Sequence, residues 1–305
     1  MEAHQREELK RLPGVKLFFD HPLKERTTLR IGGPAEVLAI PDGPAALAGL
    51  LRFAKGEGIP YFILGRGSNL LIRDGGIRGI VIDLASAFDY ISMPSSELIE
   101  AGAAVTVPQL LKFCLERELT GLEFLAGIPG SVGGVLIMNA GTKAGEVKGA
   151  VTSLKVMDPA GEVLKLPTHR LKFHYRGLEL PPGLVILSGQ FRVKRGRREE
   201  IQARMGEALD YRRRTQPVHL PNAGSIFKNP PGDFAGRIIE ELGLKGLRVG
   251  GAEVSTLHAN FIVNTGYATA KDVITLIELI RDRVYKERGI RLELELIVVG
   301  AGRPG

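Results

Sequence analysis

The residues Gly127-Ile128-Pro129-Gly130-Ser131-Val132-Gly133-Gly134 constrain this chain more than any other stretch. Proline stiffens the bend and glycine removes the Cβ, so the backbone here must pass very close to something. That neighbour is either a tightly packed strand or a ligand, a pyrophosphate or flat ring resting on bare main chain.

A second glycine bend, Leu64-Gly65-Arg66-Gly67-Ser68-Asn69-Leu70, lies upstream. It starts like a dinucleotide fingerprint, but Leu70 stands where the third glycine belongs, and Leu71-Ile72-Arg73-Asp74-Gly75-Gly76 reads as strand and turn rather than helix. A Rossmann site is therefore disfavoured, and the lysine of a Walker loop is missing. An anion nest of backbone N–H groups with Ser68 and Asn69 remains, as does an ordinary tight turn.

With 305 residues there is room for two or three domains. Apolar and charged fractions of 44% and 25% are those of an ordinary globular protein. The net charge of +7 suits anionic partners such as nucleotides, or is simply a solvated basic surface. Aromatics are only 6%, tryptophan is absent and no nucleic-acid motif occurs, which argues against a nucleic-acid binder. Cys114, the sole cysteine, excludes an internal disulfide and sits in a helical pattern as a core residue. Scattered histidines without HExxH or CxxC spacing give no support for a metal. No apolar run is long enough to cross a bilayer and the charged N-terminus has no secretory h-region, so a cytoplasmic location without membrane insertion is expected.

Periodicity predicts a βαβ start: a strand over 35–41, a helix capped by Asp42 with Pro44 in its first turn, and a strand over 61–64. Strands follow over 77–84, 98–101, 152–158, 163–166 and 184–193, with a helix capped by Thr106. The charged run 194–200 precedes a helix over 201–214 and marks the clearest composition boundary. Beyond it come a helix over 234–242 stopped by Gly243, a strand over 260–263 and a long helix capped by Thr269. That helix has a buried stripe of Val273, Ile274, Ile277, Ile280 and Val284 and ends at Gly289. A last strand is predicted over 291–299.

Four side chains stand out chemically. Ser225, in Asn222-Ala223-Gly224-Ser225-Ile226-Phe227-Lys228-Asn229-Pro230, is a hydroxyl in a small-residue turn beside an amide, a cation and an aromatic, placed to donate a proton. Arg176, after His174-Tyr175, can clamp a carboxylate with two parallel hydrogen bonds, although such an arginine is usually on the surface. Glu293 and Glu295 alternate on one face of the predicted final strand. That face is either the polar side of a half-buried strand or, at Glu295, a wet-to-dry transition before the apolar Ile297-Val298-Val299.

In order and spacing these segments resemble the UDP-N-acetylenolpyruvoylglucosamine reductases, the MurB family. The matching stretches include Thr28-Leu29-Arg30-Ile31-Gly32-Gly33-Pro34-Ala35, both glycine loops, Asn139-Ala140-Gly141 and His174-Tyr175-Arg176. Further on come the Gly224–Pro230 segment, Ala235-Gly236 through Gly243-Leu244-Lys245-Gly246, and Glu295 shortly before Gly300. The short stretch between Arg176 and Ser225 leaves little room for an extra substrate loop and looks like the type II form.

The resemblance implies an α+β chain: a vanillyl-alcohol-oxidase-type FAD-binding fold of two α/β subdomains plus a C-terminal α+β substrate-binding domain. The expected divisions are an arm at 1–22, subdomains at 23–86 and 87–198, and the substrate domain at 199–305. It implies bound FAD, NADPH as reductant and UDP-N-acetylglucosamine enolpyruvate as acceptor, in a monomer making a peptidoglycan precursor. FAD is expected on Thr28, on Gly65, Arg66, Gly67, Ser68, Asn69 and Leu70, on Gly127, Ile128, Pro129, Gly130, Ser131, Gly133 and Gly134, and on Ala140 and Gly141. Tyr175, Arg213, Arg214, Lys228 and Asn229 are expected at the substrate, the arginines because Thr215 stands where some members carry a diphosphate-binding lysine.

Arg176, Ser225 and Glu295 are the expected catalytic residues: Arg176 and Glu295 stabilise an enolic intermediate and Ser225 protonates it after hydride transfer. A flavin oxidase of the same superfamily is the main alternative, and it offers no reason for the Gly224–Pro230 segment.

Overall fold

The computed structural model describes residues 1–85 and 87–302. The expected boundary residue Ser86 and the last three residues lie outside these. Two compact units are built from interleaved segments: Met1–Phe19, Val37–Gly65 and Gly79–Asp210 form the first, and Asp20–Glu36, Arg66–Arg78 and Tyr211–Gly305 the second.

In the first unit lie most of a four-stranded sheet, ordered Val15–Pro22, Pro34–Pro41, Ile77–Asp83 and Tyr61–Leu64, and all of a five-stranded one. Tyr61–Leu64 runs parallel to Ile80–Asp83, and the crossover from Pro34–Pro41 to Tyr61–Leu64 leaves room for Ile77–Asp83 between those two strands. The crossover helix, Pro44–Gly56, contributes Leu47, Leu50, Leu51 and Ala54 to a core shared with Val37, Ala39, Ile80 and Ile82. Its N-cap is Gly43, not the expected Asp42. Asp42 lies one residue before that cap, and its N–H donates to the Gly14 carbonyl at 2.8 Å.

The five-stranded sheet is antiparallel throughout, in the order Val163–Pro167, Val151–Met157, Val185–Arg192, Leu98–Gly102, Ile91–Ser95. Helix Val107–Glu116 begins with a reciprocal Thr106–Gln109 capping box, and its apolar face buries Leu110, Leu111 and Cys114. Burial, foremost, pushes the Cys114 thiol up to about 12. It is an inert core residue, as expected. Beneath the second sheet Glu100 is buried, yet Lys155 Nζ (2.8 Å), Tyr90 Oη (2.9 Å) and Ser188 Oγ (2.9 Å) all donate to its carboxylate.

The second unit contains an antiparallel sheet ordered Asn222–Ser225, Phe261–Asn264, Ala252–Val254, Arg248–Val249, with helices Ala235–Glu241 and Ala270–Arg288. Thr269 opens the long helix through a capping box with Asp272, and Gly289 closes it in the left-handed region at φ 69°. Its stripe differs slightly from expectation: Leu276 is fully buried, whereas Ile274 is half-buried.

One core here gathers Leu29, Ile31, Leu71, Ile226, Phe227, Val273, Ile277 and Leu296 from distant parts of the chain. Asp74 ties two of those parts together, its carboxylate accepting from the N–H groups of Ala270 (2.9 Å) and Lys271 (3.0 Å) at the helix start.

The predicted final strand over 291–299 is reduced to Ile297–Val299, parallel to Leu70–Ile72. Two successive N–H groups, of Glu295 (2.9 Å) and Leu296 (3.2 Å), converge on the Ile226 carbonyl, which interrupts any regular ladder before Ile297. Ile297-Val298-Val299 is also not a buried run, since Ile297 is 40% exposed.

Candidate active site

In the second unit, several of the expected site residues are laced to one another. Ser225 ends the Asn222–Ser225 strand, where the register against Phe261–Asn264 slips and Gly224 takes φ 75°. It is thus held in a bulged strand rather than a free turn. A bulge re-aims the side chain that follows it. Among the described residues nothing engages Ser225 Oγ, and Ser225 is half-buried.

The next residues are clamped. Ile226 N–H donates to the Asn260 carbonyl at 2.9 Å, while the Asn260 side chain both accepts from Phe227 N–H (2.9 Å) and donates to the Phe227 carbonyl (2.8 Å). On its other side, the Ile226 carbonyl receives the Glu295 N–H. Ser225 and Glu295 are therefore each one covalent step or one hydrogen bond from Ile226. The half-buried Glu295 and the exposed Glu293 have different surroundings, and Glu293 pairs with Lys228 Nζ at 3.5 Å.

The first glycine bend joins the same network. Thr28 N–H donates to the Gly67 carbonyl (3.2 Å), and Thr28 Oγ1 donates to the Asn222 carbonyl (2.7 Å), three residues before Ser225. Gly67 sits at φ 59°, and a Cβ there would stand 2.2 Å from the Arg26 carbonyl oxygen, so only glycine fits. Asn69 reaches Glu295 through Nδ2, which donates to its carbonyl at 2.9 Å.

In the first unit, the long glycine loop is pinned at both edges. The Gly130 carbonyl accepts from Val107 N–H (3.0 Å), Val132 N–H donates to Val105 (2.8 Å) and Gly133 N–H donates to Ala103 (2.9 Å). Ser131 then caps the short helix Val132–Ile137 by accepting from Gly134 N–H. A Cβ on Gly133 would lie 3.2 Å from the Ala103 Cβ, so tight packing accounts for that glycine. Gly127 needs φ 80°.

Arg176 lies at the tip of a hairpin, Lys172–His174 against Gly177–Glu179, whose loop is Tyr175-Arg176 alone. Its backbone is left-handed (φ 59°), its Nη1 donates to the Gly141 carbonyl at 3.2 Å, and its guanidinium stands 5.1 Å from the Tyr175 ring centre. Tyr175 is 47% exposed. Arg213 and Arg214 lie exposed in the last turn of helix Arg198–Thr215, and the Thr215 hydroxyl is used internally, donating to the Tyr211 carbonyl at 2.8 Å. Asn229 caps a helix, its Oδ1 accepting from Ala235 N–H at 3.1 Å.

Sequence reasoning gave no role to Asn139, Asn260 and Asn264, all buried and all hydrogen-bonded to backbone, although Asn139 lies in one of the family-matching stretches. The available signal was two asparagines flanking the apolar run Phe261-Ile262-Val263, where an unpaired amide would be costly.

Fitness for a dinucleotide rests on donors. Among the described residues, the N–H groups of Arg66, Gly67, Ser68, Gly130 and Ser131 meet no protein acceptor. Both glycine loops therefore present donors of the kind a diphosphate or a flavin carbonyl accepts.

Residues 35–167 match the FAD binding domain family, and fold and match together define a flavin-dependent oxidoreductase of the expected α+β class. Residues 216–299 match the family described as UDP-N-acetylenolpyruvoylglucosamine reductase, C-terminal domain. The chain belongs to the UDP-N-acetylenolpyruvoylglucosamine reductase (MurB) family. The reductase of Syntrophus aciditrophicus is 43% identical over 97% of this chain and 96% of its own length. That of Clostridioides difficile is 42% identical over 92% of each. The crystal structure of the Thermus caldophilus enzyme is 40% identical, superposes with a TM-score of 0.80, and covers 93% of this chain and 98% of that one.

Proposed function

We propose that this enzyme reduces UDP-N-acetylglucosamine enolpyruvate to UDP-N-acetylmuramate with NADPH, as a cytoplasmic monomer in peptidoglycan precursor synthesis. The substrate assignment rests on the names of relatives that match almost the whole chain. Thr28, the 65–70 and 127–134 loops, Ala140 and Gly141 hold FAD, and residues 199–305 supply most of the substrate side. When bound there and reduced by NADPH, the flavin would supply hydride chemistry for the terminal vinyl carbon.

The protein's own residues manage charge and protons. Hydride addition pushes negative charge from the vinyl ether towards the substrate carboxylate. Arg176 binds that carboxylate, and a donor aimed at such developing charge contributes roughly 3–4 kcal/mol. Glu295 assists at the enolic oxygen. Ser225 Oγ gives its proton to the carbon next to the carboxylate, setting the stereocentre, and regains a proton from solvent. Serine is a weak acid, so positioning and the basicity of the carbanionic carbon carry the step. Tyr175, Lys228, Arg213 and Arg214 serve substrate binding. Asn229 is placed with them on the substrate side, its Oδ1 also holding the Ala235 N–H.

The observation that carries the reading is the uncommitted Ser225 hydroxyl, held by a bulge and joined through Ile226 to Glu295. The test is anaerobic reduction of the purified protein by NADPH followed by the enolpyruvyl sugar nucleotide. Rapid return of flavin absorbance near 450 nm supports the reading. Reoxidation by air but not by enolpyruvate overturns it in favour of an oxidase.

A further inference from the structure

We infer that Asn139 is a positioning residue for Arg176, an inference that rests on the proposed role of Arg176. Asn139 is 1% exposed and adopts a left-handed backbone, φ 41°, which asparagine tolerates better than most residues. Its side chain makes three hydrogen bonds. Oδ1 accepts from Lys148 N–H at 3.0 Å, and Nδ2 donates to Glu146 Oε2 at 3.0 Å and to the His174 carbonyl at 3.1 Å.

The His174 carbonyl matters because His174 is the last strand residue before the Tyr175-Arg176 loop. Arg176 must hold φ 59° there, a conformation that is unfavourable for a non-glycine residue and persists only when its surroundings enforce it. Two residues beyond Asn139, the Gly141 carbonyl receives the Arg176 guanidinium at 3.2 Å. Gly141 is paired with Glu146 in a short antiparallel ladder, and Ala140 beside it is held on both sides: its N–H donates to Val135 (2.9 Å) and its carbonyl accepts from Val147 N–H (3.0 Å). The 139–141 segment thus grips the arginine at both ends, by the backbone at the root of its turn and by the carbonyl at its head.

Asn139→Asp keeps the Oδ1 acceptor for Lys148 N–H and removes both donors. It should retain FAD and be reduced by NADPH within about twofold of the wild type, while flavin reoxidation by the enolpyruvyl substrate slows roughly 10²-fold, the effect of misplacing a reacting group. Independently of bound FAD, hydrogen exchange of the 172–179 amides in the apoprotein should quicken about tenfold, with the 151–157 strand unchanged.

A purely structural role through Glu146 is separated by Asn139→Asp combined with Glu146→Gln, which removes the facing carboxylates and restores a donor to position 139 but leaves the His174 carbonyl untethered. The double variant should stay slow, and recovery to the wild-type rate overturns the inference. If Asn139→Asp does not fold, Asn139→Gly keeps the left-handed backbone and reads the same split between half-reactions. Arg176→Ala serves as reference. If it leaves reoxidation fast, the reading of Arg176 fails. If it is slow while Asn139→Asp and Asn139→Gly are both fast, only the positioning inference fails.

Discussion

Asn69 and Glu295, 226 positions apart in the chain, are joined by a 2.9 Å hydrogen bond from the asparagine Nδ2 to the glutamate carbonyl. Ile297 N–H returns the contact by donating to the Asn69 carbonyl at 3.1 Å, and the parallel pairing of Leu70–Ile72 with Ile297–Val299 follows directly. A glycine bend expected at the cofactor and a carboxylate expected at the substrate therefore share one structural joint.

Loss of that joint should be measurable. Asn69→Ala leaves the Glu295 carbonyl without its side-chain donor, and we expect about 1–2 kcal/mol less stability in urea unfolding, with weaker FAD retention on gel filtration. Unchanged stability and flavin content would show the joint to be dispensable.

Ser225→Ala should divide the reaction in two. Flavin reduction by NADPH stays near the wild-type rate, while reoxidation by the enolpyruvyl substrate falls about 10²–10⁴-fold, the usual contribution of a positioned proton donor. Stopped-flow absorbance at 450 nm reads both halves. Two fast halves would remove Ser225 from the chemistry.

Gly67→Ala forces a Cβ to within 2.2 Å of the Arg26 carbonyl oxygen at a left-handed position. A loss of about 2–4 kcal/mol is expected, together with impaired flavin binding. Gly206→Ala is the contrast, since nothing lies within 4 Å of the added carbon in a helix, and it should gain about 0.5–1 kcal/mol. Equal effects at the two sites would contradict the steric account.

Glu100 gives a pH test. Burial, the largest influence, raises its carboxyl, but hydrogen bonds from Lys155, Tyr90 and Ser188 outweigh burial and hold it below its ordinary value. Its folded pKa is depressed, so its stabilisation is present above the unfolded carboxylate pKa of about 4.3 and is lost as pH falls through the lower folded value. Lys155→Met should cost about 1–3 kcal/mol at pH 7, and the deficit should shrink below pH 4. A deficit independent of pH would point to packing alone.

Cys114, its thiol pushed up to about 12, should resist iodoacetamide at pH 8 in the folded protein and react readily once unfolded. Fast alkylation of the native protein would mean that the Val107–Glu116 helix opens.

Local chemistry wrote much of the fold into the sequence in readable form. Thr106, Thr269 and Gly289 mark helix ends because a cap is satisfied by residues three or four positions away. Tyr61–Leu64 is legible because a short apolar run between turn signals has few alternatives. At Asp42 the local pattern misled, because the cap falls one residue later on Gly43, which has no side chain to mark it. The 291–299 stretch alternates like a strand, yet Ile226 offers one carbonyl to two successive amides and the regular ladder starts only at Ile297.

The residue order alone was enough to bring out the glycine bends, a serine expected to donate a proton, an arginine expected to bind a carboxylate and the family they resemble, since each depends on residue type and short spacing. Only the tertiary structure decided that Thr28, Asn69, Ser225 and Glu295 share one hydrogen-bonded frame, and that Asn139 holds the turn carrying Arg176. A buried amide finds its partners among groups tens to hundreds of positions away. Which carbonyl it meets is settled by how the segments pack and not by what stands beside it in the chain.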